Sequence, residues 1–360
     1  MILARMAPSV IAACLLQVAC GAGDDPGTVD GALDAAVGDS SMPDAGPRDA
    51  GRDAPPRDAA QDARVALGPP YPVVLAHGFF GFDDFAGAGF LTYYYGVRDD
   101  LAAHGEPLVF TPTVDPFNDS ATRGAQLVAA IEAILAETGH AKVNLVGHSQ
   151  GGLDARVAAF DRPDLVASVT TIATPHRGTG IADVVLGIVS DDRARSLVDA
   201  VVRIIGAPIW DSVGDETSVV AALEQLSSAG MADFNLRYPD RIDLPYFSIA
   251  GRTDLHSGRP ACDVADAPPF ITRWDGYRDP VDLLLDLSEV ILDGGLTDPF
   301  PNDGLVRVVD ARWGRFLGCV PADHLDEVGQ LLGDRPGLGN PFDYLAFYRE
   351  LISWLREQGL

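Results

Sequence analysis

The chain has 360 residues, 47% of them hydrophobic, enough for a substantial core in one large domain or two ordinary ones. Its formal net charge of −26 would repel a phosphate backbone and an anionic lipid surface alike. That excludes nucleic-acid binding and membrane docking by charge.

Residues 1–20, MILARMAPSVIAACLLQVAC, place Arg5 ahead of an apolar run too short to span a bilayer, which reads as a signal peptide. The run ends at Ala19-Cys20, which resembles a bacterial lipoprotein lipobox, although Gln17 is unusual at its position there. In that reading Cys20 is acylated and anchors the protein to a membrane. The expected location is export, as a cell-surface or outer-membrane lipoprotein or as a secreted protein. Residues 21–68 are almost pure Asp, Ala, Gly, Pro and Arg with no aromatic residue, the composition of a disordered linker.

From Tyr71 the texture changes. YPVVLAHG predicts a buried strand ending at His77-Gly78, GVRDDLAAHG a short amphipathic helix, and PLVFTPTV a second strand. Residues 122–138 put Leu127, Ile131, Ile134 and Leu135 on one helical face. A strand over 143–146 follows, then GHSQGG, a helical pattern from Leu153, and the strand ASVTTIATP. Residues 180–235 are apolar-rich, with Val185, Ile188, Leu197, Val201 and Ile205 at near-helical spacing: a core helix or a mobile cap over an apolar cleft. LPYFSIAG and GLVRVVDA predict two further strands. A last helix over 342–356 lines up Leu345, Tyr348, Ile352 and Leu355. Alternating strands and helices imply a mainly parallel sheet covered on both faces, with any site at the carboxyl ends of the strands.

The stretch VNLVGHSQGG asks why a buried strand should end in a serine hemmed by glycines. A strand-to-helix elbow that exposes a strained serine needs small residues two positions away on each side, because the backbone passes too close for side chains. Such a serine needs a histidine to take its proton and a carboxylate to orient that histidine; in hydrolases built on this kind of elbow the three follow the chain order Ser, Asp or Glu, His. His77, His104, His140 and His148 precede Ser149, which leaves His176, His256 and His324. His324, in CVPADHLDEVGQLLG, follows Asp303 in FPNDGLVRV, where Gly304 permits a tight turn. Ser149, Asp303 and His324 thus have the required order. Export puts Cys262 and Cys319 in an oxidising compartment, where they are expected to form one disulfide.

Taken together, YPVVLAHGFFG, VNLVGHSQGGLDARV, VASVTTIATPHRGT, NDGLV and HLDEVGQLLG resemble the true lipases of the Pseudomonas and Burkholderia type, over most of residues 70–335. The resemblance implies an α/β-hydrolase fold over 69–360, with a mainly parallel sheet, helices on both faces and a helical cap or lid near 180–235. It implies a carboxylic ester hydrolase, most specifically a triacylglycerol lipase, with Ser149 as nucleophile, His324 as general base and acid, and Asp303 as its orienting carboxylate. A short-chain esterase or acyltransferase on the same triad is the alternative, and a non-catalytic surface binding protein a more distant one. The matching oxyanion donors are the backbone N–H groups of Phe79 and Gln150. The family also binds a structural calcium; the matching ligands are the carboxylate of Asp326, the carbonyls of Gln330 and Asp334, and a second carboxylate at Asp279 or Asp286. A helix over 280–292 would leave Asp279 at its N-cap, which favours Asp279. No organic cofactor is implied. The partners implied are a lipid or ester substrate and a dedicated folding helper for an otherwise monomeric protein. One departure stands out: the family's second cysteine falls where this chain has Val309, so a Cys262–Cys319 bridge ties different loops.

Overall fold

The computed structural model describes residues 66–79, 93–187, 216–253, 260–277, 279, 285, 288, 292, 300–330, 333, 335–337 and 339–360. The expected signal peptide with Cys20 and almost all of the expected linker lie outside them. So do His256, Asp286, Asp334 and, within the expected cap, Ile188, Leu197, Val201 and Ile205. No helix among the described residues is long and apolar enough to cross a membrane.

Six parallel strands form the sheet: β1 (Val73–Ala76), β2 (Val109–Phe110), β3 (Val143–His148), β4 (Val166–Ile172), β5 (Tyr246–Gly251) and β6 (Arg315–Val320), in the spatial order β2-β1-β3-β4-β5-β6. Strands buried on both faces need apolar residues at every position, and β1, β3 and β4 are buried throughout. Alternate residues feed two cores. Val73, Leu75 and Val146 join a cluster with Val97 and Leu101 of α1 (Val97–Ala103) and with Phe347, Leu351 and Leu355 of the C-terminal helix Tyr344–Glu357. Val74, Val143 and Leu145 join Leu127 and Ile131 of α2 (Ser120–Thr138) and Ala155 and Ala158 of α3 (Gln150–Asp161) on the other face. Helices on both sides of a parallel sheet are the α/β-hydrolase arrangement expected above.

Between β4 and β5 the described part of the insertion comprises α4 (Gly180–Val185), α5 (Glu216–Leu226) and α6 (Ser228–Arg237). Ala182, Leu226, Met231 and Phe234 pack with Leu153 and Val157 of α3, so this part is bound to the helix that follows the elbow.

Four expectations change. Leu67, inside the expected linker, already pairs with the chain at 139–141: its N–H donates to the Gly139 carbonyl at 2.8 Å, and its carbonyl accepts from Ala141 N–H at 3.0 Å. The second strand shrinks to Val109–Phe110. GLVRVVDA is not a strand: Asp303 Oδ1 takes the N–H groups of Leu305 and Val306, Gly304 turns at φ 91°, and Val308–Ala311 forms a short helix, α7. The sixth strand is instead RFLGCV, one segment later. Cys319 lies in that strand and bonds Cys262 at an S–S distance of 2.02 Å, so the disulfide ties a loop to the sheet rather than two loops.

Candidate active site

The elbow answers the question its sequence raised. Ser149 sits between β3 and α3 at φ 54°, ψ −132°, a conformation that L-residues adopt only under constraint. A Cβ on Gly147 would come within 2.5 Å of the Gly151 backbone, and one on Gly151 within 2.1 Å of the Ala76 carbonyl oxygen. Only hydrogen fits at either position. Ser149 N–H donates to the Ile172 carbonyl at 2.9 Å, and the Thr174 hydroxyl donates to the Ser149 carbonyl at 2.8 Å. Both bonds hold the strained residue in place.

Because β1 pairs with β3, the loop leaving β1 adjoins the elbow. A Cβ on Gly78 would lie 2.7 Å from Ser149 Cβ, and Phe79 follows directly. Gln150 is the first residue of α3 and is buried, its side-chain amide donating to the Asn118 carbonyl at 2.9 Å. Before Gly78, His77 accepts the Val114 N–H on Nε2 at 3.1 Å, so its proton is on Nδ1, which donates to the Gly78 carbonyl at 2.9 Å. Burial, followed by the nearby Arg123 charge, lowers the His77 pKa to about 4 and keeps the ring neutral.

Asp303 and His324 come from segments that close on the end of the sheet beyond β4. Thr253, just past β5, donates its N–H to the Asn302 carbonyl at 2.9 Å, and His324 N–H donates to the Asp303 carbonyl at 2.9 Å. The side chains meet as well: His324 Nδ1 donates to Asp303 Oδ2 at 2.9 Å, with the two residues 5% and 1% exposed. That bond leaves Nε2 as the ring's acceptor. The His324 ring lies 4.6 Å from the ring of His148, the residue before Ser149.

His148 itself is held by Tyr93, whose hydroxyl is 2.7 Å from Nδ1, and by Glu327, whose Oε2 is 2.9 Å from Nε2. Burial and then the charge of His324 keep His148 well below the usual histidine range. Burial raises Glu327 well above the carboxylate range, and Asp303, Asp323, Asp326 and Asp279 push the same way. Beside this pair, Asp279, Asp323 and Asp326 are all buried, with one carboxylate oxygen each within 4.8 Å of the others. The structure therefore brings Asp279 and Asp326 together, and it adds Asp323, which sequence reading passed over. Asp323 N–H donates to Asp279 Oδ2 at 2.6 Å, while Asp323 Oδ1 accepts the Leu325 and Asp326 N–H groups at 2.9 Å each. Gln330 follows on the same loop.

His176, left open by chain order, is a buried strand-end residue: Nε2 is 3.0 Å from the Thr171 hydroxyl and the ring stacks on Trp313. Sequence reading also missed Arg123 and Asp154, a fully buried ion pair at 2.8 Å. Their signal was an arginine and an aspartate on otherwise apolar faces of α2 and α3. The described residues thus hold a strained serine after β3, a buried His324–Asp303 pair whose ring lies beside that of His148, and Phe79 and Gln150 flanking the elbow.

A family model described as the alpha/beta hydrolase fold matches residues 71–213. A triacylglycerol lipase of Pseudarthrobacter phenanthrenivorans is 33% identical over 322 residues, covering 81% of this chain and 98% of that protein. Triacylglycerol lipases of Burkholderia plantarii (33% identical, 81% of this chain and 87% of that protein) and Vibrio cholerae serotype O1 (35% identical, 81% and 89%) are similar in the same way. The mature form of a Bacillus licheniformis lipase shares the fold, with a TM-score of 0.51 at 22% identity over 74% of this chain and 90% of that one.

Proposed function

The chain belongs to the lipases and esterases of the α/β-hydrolase superfamily, related to the bacterial true lipases, and from that premise we propose a triacylglycerol lipase of the Pseudomonas and Burkholderia type that works through Ser149, His324 and Asp303. The observation that carries this reading is the buried Asp303–His324 hydrogen bond of 2.9 Å, next to a serine held at φ 54°.

In this mechanism His324 Nε2 takes the Ser149 proton as Oγ attacks the ester carbonyl. The oxyanion is met by the N–H groups of Phe79 and Gln150. The tetrahedral intermediate collapses, the C–O bond to the alcohol breaks, and His324 hands its proton to the leaving alkoxide. Water, deprotonated by His324, then attacks the acyl-enzyme, and the fatty acid leaves as Ser149 regains its proton. Asp303 holds Nδ1 throughout and stabilises the imidazolium.

The carboxylates of Asp279, Asp323 and Asp326 are hard oxygen donors of the kind calcium takes. All three also push up the carboxyl of Glu327 beside them, a crowding of acids that a divalent cation would offset. We assign Asp279 and Asp326, with the Gln330 carbonyl, as ligands of a structural calcium; Asp334 and Asp286 lie outside the described residues. A bound calcium would supply cross-linking charge to the loop that carries His324. Export through residues 1–20, with acylation at Cys20 or release, and a spacer from 21 that ends before Leu67, where the catalytic domain begins, complete the proposal.

The test is a rate profile over esters of graded acyl length with the full chain. A lipase turns over long-chain esters and gains rate at an oil–water interface. Rates that peak at acetyl esters without that gain would make the protein a short-chain esterase or acyltransferase, and no turnover at all would make it a binding protein.

A further inference from the structure

Gly78 creates a problem that its neighbours solve. Its lack of a side chain lets the β1 loop lie against the elbow, since a Cβ would meet the Tyr93 hydroxyl at 2.4 Å and Ser149 Cβ at 2.7 Å. The same lack leaves the Gly78–Phe79 peptide with little restraint of its own, because glycine tolerates most dihedral combinations. A peptide that rotated there would carry the Phe79 N–H with it.

The carbonyl side of that peptide is gripped. Arg123 of α2 is fully buried, and its guanidinium spends every face on this region. Nε donates to Asp154 Oδ2 at 2.8 Å, and Nη1 to the Asp115 carbonyl at 2.6 Å. Nη2 donates to the carbonyls of His77 at 2.6 Å and Gly78 at 3.2 Å. The His77 ring is the second donor to the Gly78 carbonyl, at 2.9 Å. In a planar trans peptide the C=O and the following N–H point in opposite directions. Fixing the Gly78 oxygen toward Arg123 therefore fixes the Phe79 N–H away from it.

We propose that Arg123, assisted by His77, is a positioning residue for the oxyanion site: it locks the Gly78–Phe79 peptide so that the Phe79 N–H is preset for the tetrahedral oxygen. The inference rests on the reading of Ser149 as nucleophile and Phe79 as oxyanion donor. Asp154 balances the buried guanidinium and ties the device to the elbow helix, so both N–H donors are set from one framework.

The test uses Arg123→Lys, which keeps a cation opposite Asp154 but lacks the planar fork that reaches three carbonyls. The double variant Arg123→Met/Asp154→Leu removes the pair without stranding a charge. Each is compared with wild type for thermal midpoint, kcat and KM on a soluble ester, and Ki for a trifluoromethyl ketone, whose serine adduct carries the oxyanion. Folded variants should lose about 10- to 100-fold in kcat, a share of what loss of a whole donor costs, with KM within about threefold. The ketone Ki should rise by the same factor as kcat falls. His77→Ala should show the same split with a smaller loss, and it decides the matter by the same criterion if neither Arg123 variant folds. A folded variant that keeps both kcat and Ki, or loses kcat with Ki unchanged, overturns the proposal. Failure of the lipase reading looks different: the wild-type protein would neither hydrolyse the ester nor bind the ketone.

Discussion

The elbow after β3 and the loops that carry Asp303 and His324 serve one site but are held by different physics. At the elbow the constraint is backbone contact: the chain around Ser149 is so close to β1 and α3 that no Cβ fits on Gly147 or Gly151. Across the site the constraint is buried charge and hydrogen bonding: Asp303 bonds His324, and Asp279, Asp323, Asp326 and Glu327 are buried as well. The nucleophile's half depends on nothing in the solvent. The base's half depends on protons and, in our proposal, on a cation.

The sharpest way to break that comparison is Asp303→Asn. The N–H groups of Leu305 and Val306 already claim Oδ1, so an asparagine must keep its oxygen there and turn its NH2 toward His324. The ring must then accept on Nδ1 and carry its proton on Nε2, the wrong tautomer for a base. We expect kcat to fall about 10⁴-fold with the fold retained, measured by ester hydrolysis and thermal melting. Next comes Gly151→Ala, whose Cβ would be driven against the Ala76 carbonyl. A loss of about 3 kcal/mol in unfolding free energy is expected from denaturant titration, at any pH and any calcium level. Smaller again is chelation of calcium-loaded protein. It should lower the melting temperature and the activity together, by about 2.7 kcal/mol where free calcium had stood at a hundred times its Kd. If chelation destabilised a Gly151→Ala protein no further, the two halves would not be independent.

The same contrast explains what the sequence could reveal. The elbow was legible because its constraint is local: glycines flanking a serine encode close backbone approach within one pentapeptide. Strands β1, β3, β4 and β5 were legible as runs of buried apolar residues. The stretch Leu305–Val309 misled, because its β-branched pattern is that of a strand, yet the Asp303 carboxylate captures two of its amides and turns the chain. The true sixth strand was masked by Arg315 at its start and by Gly318, which sits at φ 128° inside it. Order along the chain narrowed the base to His176, His256 and His324, and the side chains of His324 and Asp303 do meet. Arg123 carried no such signal: its partners at positions 77, 78, 115 and 154 converge only in three dimensions. Asp323 went unnoticed for the simpler reason that one more acid in a chain with 52 Asp and Glu residues draws no attention.

The central claim is that a strained serine at the end of β3 is the group that attacks esters. The direct measurement is mass-spectrometric mapping of a fluorophosphonate adduct, alongside ester hydrolysis, in wild type and Ser149→Ala. The account predicts a single adduct on Ser149, with labelling and turnover both lost in the folded variant. An adduct on another residue, or full turnover without the Ser149 hydroxyl, would contradict it.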